Sequence, residues 1–352
     1  MPRSVTPAGR WDSVAGDRSS RGEPCRRRAR QPRGPASRTT CSGDAVGSVE
    51  GSPPGKDGGL DEVAADFAQV RPRLFGIAYR MLGGVADAED IVQDVWVKWQ
   101  AHDRTVVRDA TAFLVTMTTR LSINATQTAR ARRETYVGPW LPEPVDTTAD
   151  PELGAERGAA LETAVLVLLE KLSPSERAAF VLREAFDYPY DRIAEVLQTK
   201  ASNARKLLSR ARQAVAAERR TSVDATHQRR LLSAFLSAAQ AGDFDELESL
   251  FAAEVASYSD GDGVRGASRI PVFGRTRVAR YVAAFATRFW AGVQVEWVDA
   301  NGRPSVLVTR DGVPVAWLTV SGTGDGIDRI YWVLNPAKLE RIAAAVRART
   351  SR

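Results

Sequence analysis

Cysteine is nearly missing from this 352-residue chain: Cys25 and Cys41 are the only two, and both lie in a stretch with almost no aliphatic residues. Two thiols so placed make no disulfide framework, which fits a reducing compartment. No run of eighteen apolar residues occurs, so a transmembrane helix is not expected. The N-terminus is positively charged but has no apolar stretch behind it, which argues against a secretory signal. Histidine is confined to His102 and His227, both outside the strand-rich C-terminal part. With neither His nor Cys there, a metal site or a thiol nucleophile is not expected. These absences predict a cytoplasmic protein with no membrane attachment, metal or other cofactor.

Positive charge is in excess, +6 at neutral pH, and unevenly spread. Arginines crowd the first forty residues and recur around Arg120–Arg133 and Arg205–Arg220, whereas the last third reads as closer to balanced. Nucleic acid responds to a local patch rather than to a total, so a polyanionic partner is the first expectation.

Residues 1–58 are rich in Arg, Gly, Ser and Pro, cannot bury enough apolar surface to offset ordering, and read as a disordered basic tail. From there the pattern turns helical. Val63, Phe67, Val70, Leu74, Ile77 and Leu82 recur at three- and four-residue steps up to Gly83-Gly84. A second helix through Asp87–Trp99 buries Ala88, Val92, Val95 and Trp99. A third, Ala112–Arg133, is expected to turn Phe113, Met117 and Leu121 inward. Together they make a helical domain over 59–133. Residues 134–155 form a Pro-rich linker. Its Trp140-Leu141 pair gains nothing from exposure and should dock on something.

A second helical domain, 156–220, contains Ser173-Pro174-Ser175-Glu176, which reads as a capped helix start. It ends in a helix-turn-helix over 188–213. A final domain, 226–345, opens with helices at Arg230–Ala241 and near Asp245–Phe251. Strands are expected at Val293–Val298, Ser305–Thr309, Val313–Val320 and Ile327–Leu334, with Asp311-Gly312 as a hairpin turn.

Three side-chain sets bear on function. The second helix of the helix-turn-helix puts Ala201, Ala204, Leu208 and Ala211 inward. Ser202, Arg205, Lys206, Ser209 and Arg212 share the outer face and, with Asn203 and Arg210, are left to reach DNA, short polar and long cationic groups suited to base edges and phosphates. On the third helix, Arg120, Asn124, Gln127 and Thr128 share a side, with Arg130, Arg132 and Arg133 at its end. That mixture suits a strand whose bases are exposed. On the second helix Asp87, Asp90 and Asp94 project together, a row that repels DNA and faces a basic protein or water.

In this order the parts resemble a family. Asp87-Ala88-Glu89-Asp90-Ile91-Val92-Gln93-Asp94 is similar to the core-binding segment of region 2 of extracytoplasmic-function RNA polymerase sigma factors. Leu172-Ser173-Pro174-Ser175-Glu176-Arg177 with the helix-turn-helix resembles region 4. Trp140-Leu141-Pro142-Glu143-Pro144 and Tyr331–Leu339 resemble signatures of the subgroup that carries a SnoaL-like C-terminal domain. The resemblance implies a multidomain fold: two all-α sigma domains plus an α+β SnoaL/NTF2-like cone. Its partners would be RNA polymerase core, through the β′ and β subunits, and promoter DNA. Asp87, Asp90, Gln93, Asp94 and Trp96 would bind core. Arg120–Arg133 would read the −10 element and Ser202–Arg210 the −35 element. Ala125–Thr128 lacks an acidic residue common among relatives, which leaves the −10 preference open. Trp140, Leu141, Pro142, Asn335 and Pro336 would dock linker and C-terminal domain, which would regulate the sigma core in cis.

Two other readings stay in view. A helix-turn-helix regulator would leave the first helical domain unexplained. A SnoaL-like isomerase would use Asp260 or Asp262 as general base, although an Asp/Gly alternation also marks a turn. A ligand in the cone is not named by the sequence.

Overall fold

The computed structural model describes residues 57–147, 161–218 and 223–350. The basic tail expected over 1–58 lies outside them except for Asp57 and Gly58, and so do the linker residues 148–155.

The apolar steps up to Leu82 form helix α1 (Asp57–Leu82), ended by Gly83 at φ 69°, a left-handed turn that favours glycine. Helix α2 (Val85–Ala101) buries Ala88, Ile91, Val92, Val95 and Trp99, one residue more than the expected stripe. Helix α3 (Ala110–Glu134) starts at Asp109, whose side chain accepts the Ala112 N–H at 2.9 Å. Its inward face differs from the one expected. Phe113, Met117 and Leu121 only flank the core, while Leu114, Val115, Thr118, Thr119, Ser122, Thr126 and Ala129 are buried. The four hydroxyls among them each donate to the carbonyl four residues back at 2.8–2.9 Å. Donation to the helix's own backbone lets Ser and Thr be buried there, and this hides the stripe from a reading by hydrophobicity.

Helix α4 (Thr163–Leu169) precedes the capped start at Ser173. There Ser173 Oγ accepts the Glu176 N–H and Glu176 accepts the Ser173 N–H, completing the capping box of α5 (Pro174–Phe180). The chain continues through one widened turn (Val181–Ala185) to α6 (Tyr190–Val196) and α7 (Ala201–Glu218). The two helical domains do not keep separate cores. Leu74, Ile77 and Met81 of α1 belong to one buried cluster with Leu166, Phe180 and Leu208, and α3 packs against α5 and α6.

The C-terminal domain begins with α8 (Ala225–Ala241) and α9 (Phe244–Leu250). Strands β1 (Phe251–Asp260), β2 (Val272–Phe273), β3 (Val293–Ala300), β4 (Arg303–Arg310), β5 (Val313–Thr323) and β6 (Gly326–Val333) form a mixed sheet in the order β2-β1-β6-β5-β4-β3. Only β1 and β6 run parallel. Helices α10 (Arg275–Ala284) and α11 (Ala286–Phe289) separate β2 from β3, and α12 (Pro336–Thr350) closes the fold. Asp311-Gly312 turns β4 into β5 as expected, with φ of 52° and 75°, and Asn301-Gly302 does the same between β3 and β4.

Side chains alternate across the sheet with the strand period of two. Val306, Val308, Leu318, Val320, Ile330 and Trp332 pack under α8 and α10, while Leu307, Trp317, Tyr331 and Val333 pack under α12. Leu141 of the linker is buried in this second layer, beside Leu339, Ile342 and Val346 of α12. The Pro-rich segment thus closes a core that the C-terminal domain leaves open.

Candidate nucleic-acid interface and linker junction

Four buried positions on α7, Ala204, Leu208, Ala211 and Val215, seat the helix against the domain. They leave Ser202, Asn203, Arg205, Lys206, Ser209 and Arg210 all exposed, so the structure brings this set together on one outer surface. Asn203 donates to Thr199 Oγ1 at 2.9 Å, and Arg205 lies 5.2 Å from the Tyr190 ring centre. Arg212, further along, is held by Glu184 at 2.6 Å. Gln198 at φ 51° makes the turn between α6 and α7.

The set expected on α3 divides. Asn124, Gln127, Thr128, Arg130 and Arg132 are exposed. Arg120 instead donates to the carbonyls of Val196 at 2.9 Å and Glu195 at 3.1 Å, on α6 of the other helical domain. Arg133 ion-pairs with Glu170, donates to the Leu82 carbonyl and lies 3.5 Å from the Trp140 ring centre. Burial and the neighbouring Arg177 charge push its pKa down to about 9, which leaves it cationic at neutral pH. Glu170 also accepts from Arg177 at 2.7 Å, and Arg177 donates to the Met81 carbonyl at 2.6 Å. Two cations of the α3 set are therefore engaged in holding the helical domains together.

On α2, Asp90, Gln93 and Asp94 are exposed, as expected. Asp87 is less open, since it pairs with Arg132 at 2.8 Å. Trp96 is not an outward group: its ring packs on Phe67 at 4.9 Å, because the stripe on α2 is wide enough to bring it to the edge of the core. Val97, 58 % exposed, stands beside the acidic face instead.

The linker is gripped from three sides. Trp140 lies between Arg133 and Lys338, whose ammonium is 4.3 Å from the ring centre. Its ring covers Gly83 so closely that a Cβ there would meet it at 2.5 Å. The Leu141 N–H donates to Asp260 Oδ2 at 2.6 Å. Lys338 donates to the same oxygen at 2.7 Å and to the Leu141 carbonyl at 2.5 Å. Tyr136 OH donates to Asp260 Oδ1 and accepts from Asn335 at 2.8 Å. Burial lowers the pKa of Lys338, opposed by the Asp260 charge, and burial followed by Asp260 raises that of Tyr136. Pro142 is buried, and Pro336 opens α12.

Further along, Glu143 accepts the Val85 N–H at 2.9 Å and donates its own N–H to the Gly83 carbonyl at 2.8 Å. Asp146 bridges to Ala300 on β3, the edge of the sheet, so the linker extends the sheet by a short antiparallel step. Asn301, 1 % exposed, joins all the parts. Its side chain donates to Tyr79 OH at 2.7 Å and the Leu161 carbonyl at 3.2 Å, and accepts the Val145 N–H at 3.1 Å. Arg303 reaches Glu162 at 2.7 Å.

Asp260, Lys338, Asn301, Tyr79 and the Arg303–Glu162 pair hold this junction together, a placement that the sequence reading did not give them. Asp260 is no general base: it is 0 % exposed and its carboxylate is taken up by Tyr136, Leu141 and Lys338. Asp262 sits at φ 44° in the turn after β1. Phe235, Phe289, Trp290 and Trp332 crowd the space under the sheet, with ring centres 4.9–6.3 Å apart, and leave about 50 Å³ open against the last three. No helix among the described residues is long and apolar enough to cross a membrane.

Known proteins resolve what this arrangement belongs to. Residues 67–133 match the model of sigma-70 region 2, and residues 162–215 match that of sigma-70 region 4. The ECF RNA polymerase sigma factor SigJ of Mycobacterium tuberculosis is 38 % identical over 235 residues, which cover 65 % of this chain and 75 % of SigJ. The probable ECF sigma factor SigI of the same species is 28 % identical over 290 residues, 81 % of this chain and 97 % of SigI. The crystal structure of M. tuberculosis SigJ superimposes with a TM-score of 0.65 at 32 % identity, covering 79 % of this chain and 98 % of that one. A helix-turn-helix regulator would leave 67–133 unmatched, and members of the matching family are initiation factors rather than enzymes. The chain belongs to the ECF RNA polymerase sigma factors, of the SigJ type.

Proposed function

We propose that the chain directs core RNA polymerase to promoters in the cytoplasm, and that its C-terminal domain, read as SnoaL-like, controls this step in cis by gripping the linker. In this reading Asp90, Gln93 and Asp94 of α2 engage core, with Asp87 joining them once it leaves Arg132. The exposed face of α7 reads the −35 element, and Asn124, Gln127, Thr128 and Arg130 of α3 read the −10 element.

The observation that carries the regulatory part is the shared core of the two helical domains. The two promoter elements are separated by about 25 base pairs, or about 85 Å of duplex at 3.4 Å per pair. Two domains of about 70 residues packed side by side have centres about 30 Å apart, far too close to engage both elements. The roughly 28 residues from Glu134 to α4 could span about 90 Å when extended, but Tyr136–Thr147 are held on the C-terminal domain. Arg120 and Arg133, two cations of the −10 set, are occupied in the same closed state. Opening frees the linker, the cations and the span together, a two-state change that core polymerase would favour by binding the open form better.

In vitro transcription with purified core polymerase tests this reading. Initiation at defined positions that depends on the full-length chain supports it. Absence of both core binding and specific transcripts overturns it.

A further inference from the structure

A basic segment lies in the last third of the chain, where Thr276 also donates to Glu248 of α9 at 2.6 Å. Residues 263–295 carry Arg265, Arg269, Arg275, Arg277, Arg280 and Arg288 and no Asp or Glu, so the balanced charge expected there conceals a basic stretch. Two of these, with Arg310 of β4, line a cavity of about 410 Å³ between the loop after β1, the α10–α11 turn and the β4–β5 hairpin. Its remaining wall is largely apolar and includes Phe285, Phe289 and Leu334. Arg310 donates to the Phe289 carbonyl at 2.6 Å, which fixes it against that wall. Arg265 and Arg288 are exposed, and among the described residues neither forms an ion pair. Asp262 and Asp311, the acids nearest along the chain to Arg265 and Arg310, are both exposed, and Asp262 accepts the Val137 N–H at 3.4 Å.

A smaller space of about 50 Å³ adjoins the cavity and shares Phe285, Phe289 and Leu334 with it. Trp332 is on its wall, 8 % exposed, and its indole N–H has no hydrogen-bond partner among the described residues. A buried donor left unpaired is costly, so an acceptor placed there gains more than an ordinary hydrogen bond would. The volume of the larger cavity falls in the usual range for small-molecule sites, and apolar walls with a few convergent polar groups are their usual make-up.

We propose that this cavity binds a small organic carboxylate with an aromatic or alkyl body. Arg265 and Arg288 take the carboxylate, which a guanidinium fork matches geometrically. The body lies on Phe285, Phe289 and Leu334 and leads toward the Trp332 N–H. Duplex DNA would use the arginines but would gain nothing from a recessed aromatic wall, so the small molecule is the better fit. Leu334 and Pro336 line the cavity and flank Asn335, which holds Tyr136 of the linker. An occupant therefore touches the segment that grips the linker, yet the site stands whether or not that grip regulates transcription.

Calorimetric titration of the full-length protein with 4-phenylbutyrate, decanoate and the neutral 4-phenylbutan-1-ol tests the proposal. Saturable binding of at least one acid is expected, with the alcohol tenfold or more weaker than its acid. The double variant Arg265→Ser/Arg288→Ser should lose that preference without a change in melting temperature, and Arg288→Lys should keep part of it. Three results overturn the proposal: no saturable binding of either acid, equal binding of acid and alcohol, or unchanged affinity in the double variant. A double variant that loses affinity for a random-sequence duplex while binding the acids as before would also overturn it, and would give the arginines to DNA.

Discussion

Trp140→Ala should release the linker while leaving each folded part intact. The half-buried indole withdraws on the order of 100–150 Å² from water, about 3 kcal/mol at 25 cal per Å². Its cation–π contacts with Arg133 and Lys338 contribute about 0.5–1 kcal/mol each. The loss of about 4 kcal/mol falls on docking, because Trp140 lies in neither buried cluster of the C-terminal domain. At 1.4 kcal/mol per tenfold, the ratio of docked to undocked linker falls by a factor of about 10²–10³. Amide exchange reads this directly. The N–H groups of Leu141, Glu143, Val145 and Thr147 are all hydrogen-bonded in the docked state, so their exchange should accelerate by that factor through a local opening. Amides of β5 and β6 should keep their protection, and promoter-specific transcription at limiting core polymerase should rise. Unchanged protection of the four linker amides would refute the reasoning. Equal loss of protection in β5 and β6 would also refute it, since that is unfolding and not release.

Lys338→Met leaves the wholly buried Asp260 carboxylate without its cation and should cost about 3–5 kcal/mol by denaturant titration. Adding Asp260→Asn should recover part of that cost, a coupling between the two positions. Arg205→Ala and Lys206→Ala, each measured in holoenzyme binding to promoter DNA, should lower the slope of log affinity against log salt by about one. Asp90→Arg with Asp94→Arg should weaken core polymerase binding tenfold or more at unchanged melting temperature, because both side chains are exposed. Burial raises the pKa of Glu143 above its usual 4.5. The folded state thus binds this proton more tightly than the unfolded one, and the contribution is favourable at low pH and lost as pH rises through the raised value. Glu143→Gln should remove that decline from a profile of stability against pH above about 4.5. An unchanged profile would show that Glu143 is not its source.

What the sequence revealed was local. The capping box at Ser173, the Asp311-Gly312 turn and the inner stripe of α7 each lie within a few residues, so their spacing alone specifies them. The buried face of α3 was hidden because Thr118, Thr119, Ser122 and Thr126 satisfy their hydroxyls on the helix backbone. Strand β1 was missed because Phe251–Asp260 is buried on both faces over much of its length and lacks alternation. Trp140-Leu141 stood out as an apolar pair in a Pro-rich linker, and its docking was legible. Its partners were not: Asp260, Asn301 and Lys338 lie more than a hundred residues away, and nothing near them in the chain marks them. Asp260 was open to two readings, a general base or part of a turn, because a carboxylate beside glycines and a tyrosine is ambiguous until its neighbours are known.

The account turns on whether the two helical domains separate, and a distance between them decides it. With Cys25→Ser and Cys41→Ser as background, spin or dye labels at Gln100→Cys and Ala217→Cys, both exposed positions, report that distance in the full-length chain. The free protein should show a single separation within about 50 Å, the span of two small domains in contact. Binding to core polymerase and promoter should lengthen it to about 85 Å, the span between the promoter elements. A separation that stays at its free value in an actively transcribing complex would contradict the account.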